Sequence, residues 1–549
     1  MRAMGRSAFA LVAAVWIAAA GARGAGPKFY TDDPIARDPE TQDASGARAI
    51  EVSDQYDLIE NSFLGAGEKA DLRAVNLNTV DEVPDSSWFT NRILAHPAAI
   101  DQAIHGPQAG TRPAEGPWTI VAAKEVGAAP GFTVEDQARE TWFVSFDSRG
   151  HPEAATGAIL VANRIFWTLG YWQMDNVLVH LRPERVLIGD TATIRVLSGA
   201  VRPMRRDDLD VTWQRAHRSA DGSFRAVASR RLEGRPLGGF RYHGTRPDDP
   251  NDMVPHEHRR ELRALKVFGA WTNLVDMKAG NTLDMLVTEH GRSVVRHYLQ
   301  DVGSTFGTAA LGPREFDEGW EQLYEGNVAW KRLVSLGFWI RPWQTVRYEE
   351  AAAVGRFEGS EFDPLAWKPR VPTAALRHAQ PDDLFWAARR VAAFSDDLIR
   401  ALARAGSYTD AAAAEHLADV LIERRDKIAD AYLIAVNPLV DFQLSATGRL
   451  SFANAAVSAG VAAEPRGGYR LTWAGFDNHT GTLTPFGETA AASAGHVDAP
   501  APLPRADNAF VCVRIEAIAP PHPAWEPVRV YFRRAADGWD LVGVDRTGK

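Results

Sequence analysis

The sequence predicts an α+β protein that consists of a β-rich lobe, a helical lobe and a small C-terminal β-domain, in that order. Alternating apolar residues, which are typical of strands, recur within residues 117–200. Long helices with one apolar face are predicted within residues 201–437, and alternation returns after residue 438. With 549 residues, of which 45% are hydrophobic, the chain is long enough for two or three domains with buried cores.

The first lobe, residues 117–200, is predicted to be a small β-meander followed by a helix. Its pattern indicates a strand at Trp118–Lys124, a Gly/Pro turn at Glu125–Gly131, two strands within Phe132–Asp147, a helix at Ala154–Leu169, and strands at Asn176–Leu181 and Thr193–Leu197. The apolar spacing of the helix would bury one face on the sheet. Residues 23–116 are polar, rich in Asp and Pro and without a sustained helical period, so we expect a mostly irregular N-terminal segment that packs on the domain behind it.

The second lobe, residues 201–437, is predicted to be helical. Apolar spacing indicates helices at Pro255–Leu274, Asp382–Ala405 and Asp410–Tyr432, and Gly406 is a suitable C-terminal stop for the second. In residues 438–549 the alternation indicates strands at Tyr469–Trp473, Phe510–Ile515, Val528–Phe532 and Trp539–Val544. We interpret these residues as a separate small β-domain.

The N-terminus has the layout of a cleavable secretory signal peptide. Arg2 and Arg6 precede an uncharged stretch, Ser7–Ala22, which ends in small residues. The apolar run is shorter than the roughly 20 residues that a membrane-spanning helix needs, and no later stretch replaces it. We therefore expect residues 1–22 to be removed and the mature chain to be exported, periplasmic or extracellular, without a transmembrane segment.

Charge and cysteine content limit the partners and the chemistry. A formal net charge of −9 argues against a nucleic-acid surface, because phosphate binding needs clustered Lys and Arg. The single thiol, Cys512, cannot form an internal disulfide, and it lies in a predicted strand. We therefore expect a buried, inert cysteine.

The most informative stretch runs from Leu274 to Gly307. Asp276, Lys278 and Asn281 form a D-x-K-x-x-N pattern, and Asp301 follows a predicted hairpin whose turn contains Gly291. Because a tight hairpin returns the chain to its starting point, we expect Asp301 to lie beside Asn281. Two oxygen ligands would then face one point, which suits Mg²⁺ between phosphates, and Asp276 would stand nearby, free to take a proton from a hydroxyl.

This arrangement resembles the catalytic loop and the D-F-G metal site of the protein-kinase-like superfamily. The resemblance covers about residues 118–432 and implies a bilobal kinase-like domain with a β-rich N-lobe and a helical C-lobe. It implies that the catalytic base is Asp276, that Lys278 steadies the transferring phosphate, and that Asn281 and Asp301 bind Mg²⁺.

The nucleotide-binding half departs from the family pattern. The third strand has Ser145 where a kinase carries the lysine that pairs with the phosphates, and the helix has Ala158 and Ile159 near the place of the partner glutamate. Val302 replaces the family's Phe and keeps an apolar role. Without the lysine, the phosphate charge must be met by metal alone or by another side chain.

The residues that could still bind a nucleotide such as ATP lie at the first turn of the sheet. Lys124 stands just before the glycine turn that contains Gly127 and Gly131. It is the nearby lysine that we nominate as the replacement cation. We therefore take Lys124, Gly127 and Gly131 as the candidate cofactor-binding residues.

Two hypotheses on function follow. The first is an exported, atypical kinase-like protein that binds a phosphorylated ligand with Mg²⁺ and transfers a phosphoryl group to a hydroxyl. The second is a catalytically inactive, pseudokinase-like scaffold for a cell-envelope partner, which Ser145 and the missing helix glutamate favour. Segments such as NTVDEVPDSSWFTNR, residues 78–92, also resemble a group of exported bacterial proteins.

Two other motifs carry weaker signals. His256 and His258 are two residues apart on a predicted helix, so they would point away from each other rather than towards one metal ion. The stretch Gly303–Gly307 has Thr at the middle of what would be G-x-S-x-G, which argues against a serine hydrolase.

Overall fold

The computed structural model of the protein describes residues 26–546, except 95–98, 108–109, 111, 125–126, 197, 337, 349–350 and 352. The predicted signal peptide, part of the predicted glycine turn and the last residue of the strand predicted at Thr193–Leu197 lie outside the described residues. No helix within the described ranges is long and apolar enough to cross a membrane.

The N-terminal segment is mostly irregular, as predicted, but it contains two short helices. These are α1 (Asp54–Ile59), continued by a π-helical turn at Glu60–Leu64, and α2 (Ile100–His105). Ser53 caps α1, since its hydroxyl accepts a hydrogen bond from the Tyr56 N–H at 3.4 Å. Asp54 and Asp57 occupy the first turn, where the helix dipole favours negative charge.

The first lobe is built on a seven-stranded sheet. Its elements are β1 (Trp118–Ala123), β2 (Gly131–Glu135), β3 (Thr141–Phe146), α3 (Ala154–Leu169), β4 (Asn176–Leu181), β5 (Val186–Arg195), β6 (Val201–Pro203), α4 (Arg206–Arg215) and β7 (Phe224–Arg230). The strand order is β4-β7-β3-β2-β1-β5-β6, and every pair is antiparallel except β1 with β5. The bounds of α3 and β4 match the prediction. The sheet extends beyond residue 200, because β7 inserts between β3 and β4.

Helix α3 is buried on almost every side. All of its residues except Ile159 and Trp167 are buried, whereas the sequence predicted one buried face. The helix contacts β3, β4 and β7 of the sheet, and its apolar residues also join the core of the helical lobe. A helix that is apolar all round is stable only when protein surrounds it. Helix α3 therefore packs against both the seven-stranded sheet and the core formed by the helices that follow.

The second lobe combines a small sheet with helices. Its elements are β8 (Arg235–Gly238), α5 (Arg260–Arg263), α6 (Leu265–Thr272), β9 (Leu283–Glu289), β10 (Arg292–Tyr298), β11 (Thr308–Ala309), β12 (Gly312–Pro313), α7 (Gly326–Val334), α8 (Ala374–Arg377), α9 (Pro381–Ala392), α10 (Asp396–Arg404) and α11 (Ala411–Tyr432). Strands β8, β9 and β10 form an antiparallel sheet in the order β10-β9-β8, and β11 pairs with β12.

Two helices that the sequence predicts as continuous are interrupted in the structure. The prediction at Pro255–Leu274 is replaced by a 3₁₀ turn at His256–His258, α5 and α6. The chain is extended at Arg259, whose guanidinium donates to Asp252 at 3.0 Å. The prediction at Asp382–Ala405 is interrupted because Ser395 caps a new helix, α10, with its hydroxyl.

The C-terminal part forms an eight-stranded antiparallel sheet. Its elements are β13 (Leu439–Leu444), β14 (Arg449–Asn454), α12 (Ala455–Ser458), β15 (Tyr469–Phe476), β16 (Leu483–Ala491), β17 (Gly495–Asp498), β18 (Phe510–Ala517), β19 (Val528–Arg534) and β20 (Trp539–Asp545). The order is β16-β15-β18-β19-β20-β13-β14-β17. The four predicted strands are present as β15, β18, β19 and β20. Buried residues such as Leu471, Val513 and Val530 belong to the same apolar core as the helices of the second lobe. Phe476, Cys512, Tyr531 and Val542 form a separate apolar cluster with Phe29.

Candidate functional site

The loop after α6 directs two charged side chains to one side of the chain. Asn273 ends the helix in the left-handed conformation, with φ of 54°, a position that Asn tolerates well. In the segment that follows, Val275 and Met277 are buried, whereas Asp276 and Lys278 are half-buried. Because side chains alternate along an extended chain, Asp276 and Lys278 point the same way, away from the core.

The hairpin of β9 and β10 closes the site. The two strands pair in register from Leu283 with Tyr298 to Glu289 with Arg292. The Asp301 N–H then donates to the Asn281 carbonyl oxygen at 3.0 Å. The structure thus brings Asp301 beside Asn281, as the hairpin predicts.

The loop that carries Asp276, the candidate base, orients the side chain of Asn281. Its Nδ2 donates to the Asp276 carbonyl oxygen at 2.7 Å. This bond occupies the amide nitrogen, so the side-chain atom of Asn281 that remains for a cation is the oxygen Oδ1. The same bond ties the backbone at Asp276 to the residue that precedes β9.

The residues after Asp301 contact helix α3 of the first lobe. The Asp301 carboxylate accepts a hydrogen bond from the Gly303 N–H at 3.0 Å, and Val302 is buried in the core. A Cβ atom at Gly303 would lie 2.6 Å from Cγ1 of Ile159. Glycine is therefore needed at 303 because the loop passes so close to α3, and Ile159 occupies the place where the sequence lacks a glutamate.

Lys124 reaches this region from the end of β1. Its Nζ donates to the Ser145 hydroxyl on β3 at 2.9 Å. Burial lowers the pKa of Lys124, and the negative charge of Asp301 acts in the opposite direction. The lysine of the sheet and the acid of the hairpin loop are thus close enough to interact.

The two candidate glycines surround Lys124. Gly127 has a positive φ of 83°, and a Cβ atom there would lie 3.8 Å from the lysine Nζ. A Cβ atom at Gly131 would lie 3.1 Å from Cδ of Lys124 and 2.2 Å from the Val144 carbonyl oxygen. Gly131 therefore makes room for the lysine and permits close pairing of β2 with β3, whereas Gly127 is favoured by its positive φ.

The N-terminal helix α1 supplies two acids that the sequence analysis missed. The Asp54 carboxylate lies 2.8 Å from Nζ of Lys278, and a Cβ atom at Gly280 would lie 2.2 Å from an Asp54 oxygen. Asp57 is fully buried and accepts a hydrogen bond from the Ala279 N–H at 3.2 Å. In the sequence, the start of this helix is indicated by the capping residue Ser53, which is followed by acids at positions 54 and 57.

The pKa values of Lys278 and Asp57 depend on burial and on neighbouring groups. Burial alone would lower the pKa of Lys278, but Asp54 and the two site carboxylates, Asp276 and Asp301, raise it above its usual value. The ammonium therefore stays charged at neutral pH. Burial raises the pKa of Asp57, and the hydrogen bond from Ala279 partly offsets this effect.

The other residues singled out in the sequence have structural partners. His256 contacts the Asp252 carboxylate at 2.8 Å, whereas His258 contacts Glu68 at 3.1 Å, so the two rings bind different acids. Cys512 is buried in β18, and burial raises the pKa of its thiol to about 11.

A divalent cation at this site would have few protein ligands. Within the described ranges, no three His, Cys, Asp or Glu side chains are grouped so that they could hold a metal. Asn281 and Asp301 offer two oxygen atoms next to Lys124 and Lys278. This set fits Mg²⁺ with a phosphorylated ligand, because Mg²⁺ usually takes one or two protein carboxylates and fills its shell with phosphate oxygens and water.

Comparisons with known proteins do not assign a family. No protein-family model and no curated protein matches the chain. One solved structure that overlaps it is described as a Golgi casein kinase with Mn/ADP bound, with 10% identity, a TM-score of 0.26, and 60% of this chain and 76% of that chain covered. A second, also a Golgi casein kinase, has 11% identity, a TM-score of 0.27 and coverage of 72% and 95%. TM-scores of this size do not establish a shared fold.

Proposed function

We propose that the protein is an exported, atypical kinase-like enzyme that binds a nucleotide with Mg²⁺ and transfers a phosphoryl group to a hydroxyl. The observation that carries the proposal is the hairpin that brings Asp301 beside Asn281, whose side chain donates to the Asp276 carbonyl oxygen at 2.7 Å. Lys124, at the end of β1, supplies a cation on which the negative charge of Asp301 acts. This is the charge pattern that a phosphate–metal pair needs.

Each residue has a distinct part in the proposed site. Lys124 donates to phosphate oxygens in place of its present partner Ser145, and Asn281 and Asp301 hold the metal. When bound, Mg²⁺ would neutralise charge on the phosphates. Lys278 stays charged beside Asp276 and stabilises negative charge on the transferring group.

Asp276 is the proposed general base. Its carboxylate is half-buried on the same side as Lys278 and accepts the proton of the acceptor hydroxyl. The acceptor oxygen forms a bond to phosphorus while the bond from phosphorus to the leaving phosphate oxygen breaks. The nucleoside diphosphate leaves with the electron pair of that bond.

An inactive scaffold for a cell-envelope partner is the second candidate. It is favoured by the partner of Lys124, which is the neutral hydroxyl of Ser145 rather than a carboxylate. Helix α3 presents Ile159 to the 301–303 loop, so it offers no acid there to orient the lysine. An inactive relative of this kind would keep the fold without turning over nucleotide.

Thermal denaturation of the mature protein with ATP or ADP and Mg²⁺ or Mn²⁺ distinguishes the two candidates. A ligand at 100 times its Kd should stabilise the folded state by about 2.7 kcal/mol and raise Tm. We expect the rise to disappear in Asp301→Asn and to persist in the control Asp430→Asn, which changes an exposed acid on α11. An absent rise in the wild type favours the scaffold, and an unchanged rise in Asp301→Asn contradicts the metal assignment.

A further inference from the structure

Helix α7 presents an apolar face to solvent rather than to the core. None of its residues, Gly326–Val334, is buried. Trp330, Leu333 and Val334 are three and four residues apart, so they lie on one face of the helix. All three are exposed. A helix of a soluble protein normally turns such a face inwards.

The exposed apolar surface continues after the helix. Leu336, Phe338 and Ile340 are also exposed, and the six side chains range from 64% to 87% exposure. We call the side chains of Trp330, Leu333, Val334, Leu336, Phe338 and Ile340 the apolar segment. Single exposed apolar residues are common on proteins, whereas a contiguous group of this kind marks a surface that contacts another apolar phase.

The charge of this region is opposite to that of the chain. Residues 326–348 contain four basic residues, Lys331, Arg332, Arg341 and Arg347, and no acidic one, although Glu325 and Glu349 border the stretch. Arg341 forms an ion pair with Glu321 at 2.9 Å. The whole chain has a formal net charge of −9. Lys331 and Arg332 are exposed beside the apolar face of α7. Basic residues next to exposed Trp, Leu and Phe are typical of helices that lie in the surface of an anionic membrane.

The chain just before α7 contacts the turn that continues α1. The rings of Tyr324 and Phe63 have their centroids 5.0 Å apart. Phe63 and Leu64 are themselves exposed and belong to the π-helical turn that continues α1. Helix α1 also carries Asp54, the partner of Lys278. A pair of exposed rings therefore joins the chain just before α7 to the π-helical turn that continues α1.

We propose that the apolar segment inserts into the surface of an anionic lipid bilayer. Trp330, Leu336 and Phe338 enter the boundary between headgroups and acyl chains, and Lys331 and Arg332 extend to the lipid phosphates. A symmetric pair of copies is the less suitable occupant, because a two-fold interface places the same patch, with the exposed cations Lys331, Arg332 and Arg347, against itself. Lipid phosphates supply the opposite charge.

Cosedimentation with vesicles tests this proposal without nucleotide, so its outcome does not depend on phosphoryl transfer. The mature wild-type protein is mixed with vesicles of phosphatidylglycerol and phosphatidylcholine, or of phosphatidylcholine alone. We expect about fivefold or greater enrichment on the anionic vesicles, because each basic residue near the surface adds attraction. The double variant Leu336→Ser/Phe338→Ser should lose most of this binding.

A matched control separates the apolar segment from general surface hydrophobicity. Met253 and Leu365 are 76% and 70% exposed, so Met253→Ser/Leu365→Ser removes two comparable side chains elsewhere and should bind like the wild type. The variant Lys331→Gln/Arg332→Gln should bind anionic vesicles several-fold more weakly. The proposal is overturned if the wild type does not bind, or if the Leu336→Ser/Phe338→Ser variant binds as well as the control. It is also overturned if light scattering shows that the wild type is a dimer and the Leu336→Ser/Phe338→Ser variant is a monomer.

Discussion

The side chain of Lys124 passes over strand β2, and its ammonium donates a 2.9 Å hydrogen bond to the Ser145 hydroxyl on β3. Strand β2 lies between β1 and β3, and its residue Gly131 is paired in register with Ser145. Because Gly131 has no side chain, Lys124 can pass over it. The structure thus brings a lysine from the turn after β1 to the hydroxyl of Ser145.

Replacing Lys124 tests whether this ammonium binds phosphate. We expect Lys124→Met to weaken nucleotide binding about 10- to 100-fold, since a hydrogen bond to a charged group contributes about 1.5–3 kcal/mol. Isothermal titration with Mg²⁺ and nucleotide measures the change. Lys69→Met, which alters an exposed lysine of the N-terminal segment, should bind like the wild type. Equal affinity in the Lys124 variant would place the phosphates elsewhere.

The contact of Gly303 with Ile159 predicts a coupling between the metal loop and α3. We expect Gly303→Ala to displace Asp301 and reduce the nucleotide-dependent rise in Tm, because its Cβ atom would lie 2.6 Å from Ile159. Ile159→Ala should create the missing space, so the double variant should regain part of the rise. A double-mutant cycle measures this interaction. Strictly additive effects of the two substitutions would show that the loop does not depend on α3.

The acid Glu82 predicts a specific dependence of stability on pH. Burial would raise its pKa, but Arg390 and Arg389 on α9 lower it from 4.5 to about 2. This contribution to the free energy of unfolding is present above pH 4.5 and is lost as the pH falls towards 2. Its size is about 1–3 kcal/mol, because solvent screens part of the pairing.

Urea denaturation of the wild type and Glu82→Gln over this pH range checks the prediction. The wild type should be more stable at neutral pH, and the difference should shrink in acid, where protonated Glu82 resembles glutamine. Glu140→Gln is a suitable control, since Glu140 pairs with Arg230 at a more exposed position. A difference between wild type and Glu82→Gln that stays constant with pH would contradict the assignment.

Sequence patterns predicted those elements that depend on residues close together in the sequence. The apolar spacing of α3 and the turn between β9 and β10 gave correct elements, and the hairpin placed Asp301 beside Asn281. The role of α1 was missed because Asp54 and Lys278 are far apart in sequence, and no pattern within either segment indicates their contact. The break at Arg259 was missed because Trp88, whose ring lies 4.5 Å from the Arg259 guanidinium, becomes its neighbour only in the folded chain.

Binding of Mn²⁺ is the measurement that tests the proposed site most directly. The electron paramagnetic resonance signal of free Mn²⁺ is followed while the mature protein is added, with and without ADP. We expect the protein to remove the free signal strongly only when ADP is present, because Asn281 and Asp301 supply just two of the ligands. Asp301→Asn should abolish this effect, and Asp430→Asn should retain it. Mn²⁺ binding that is independent of ADP, or that survives in Asp301→Asn, would contradict a shared metal–nucleotide site between Lys124 and Asp301.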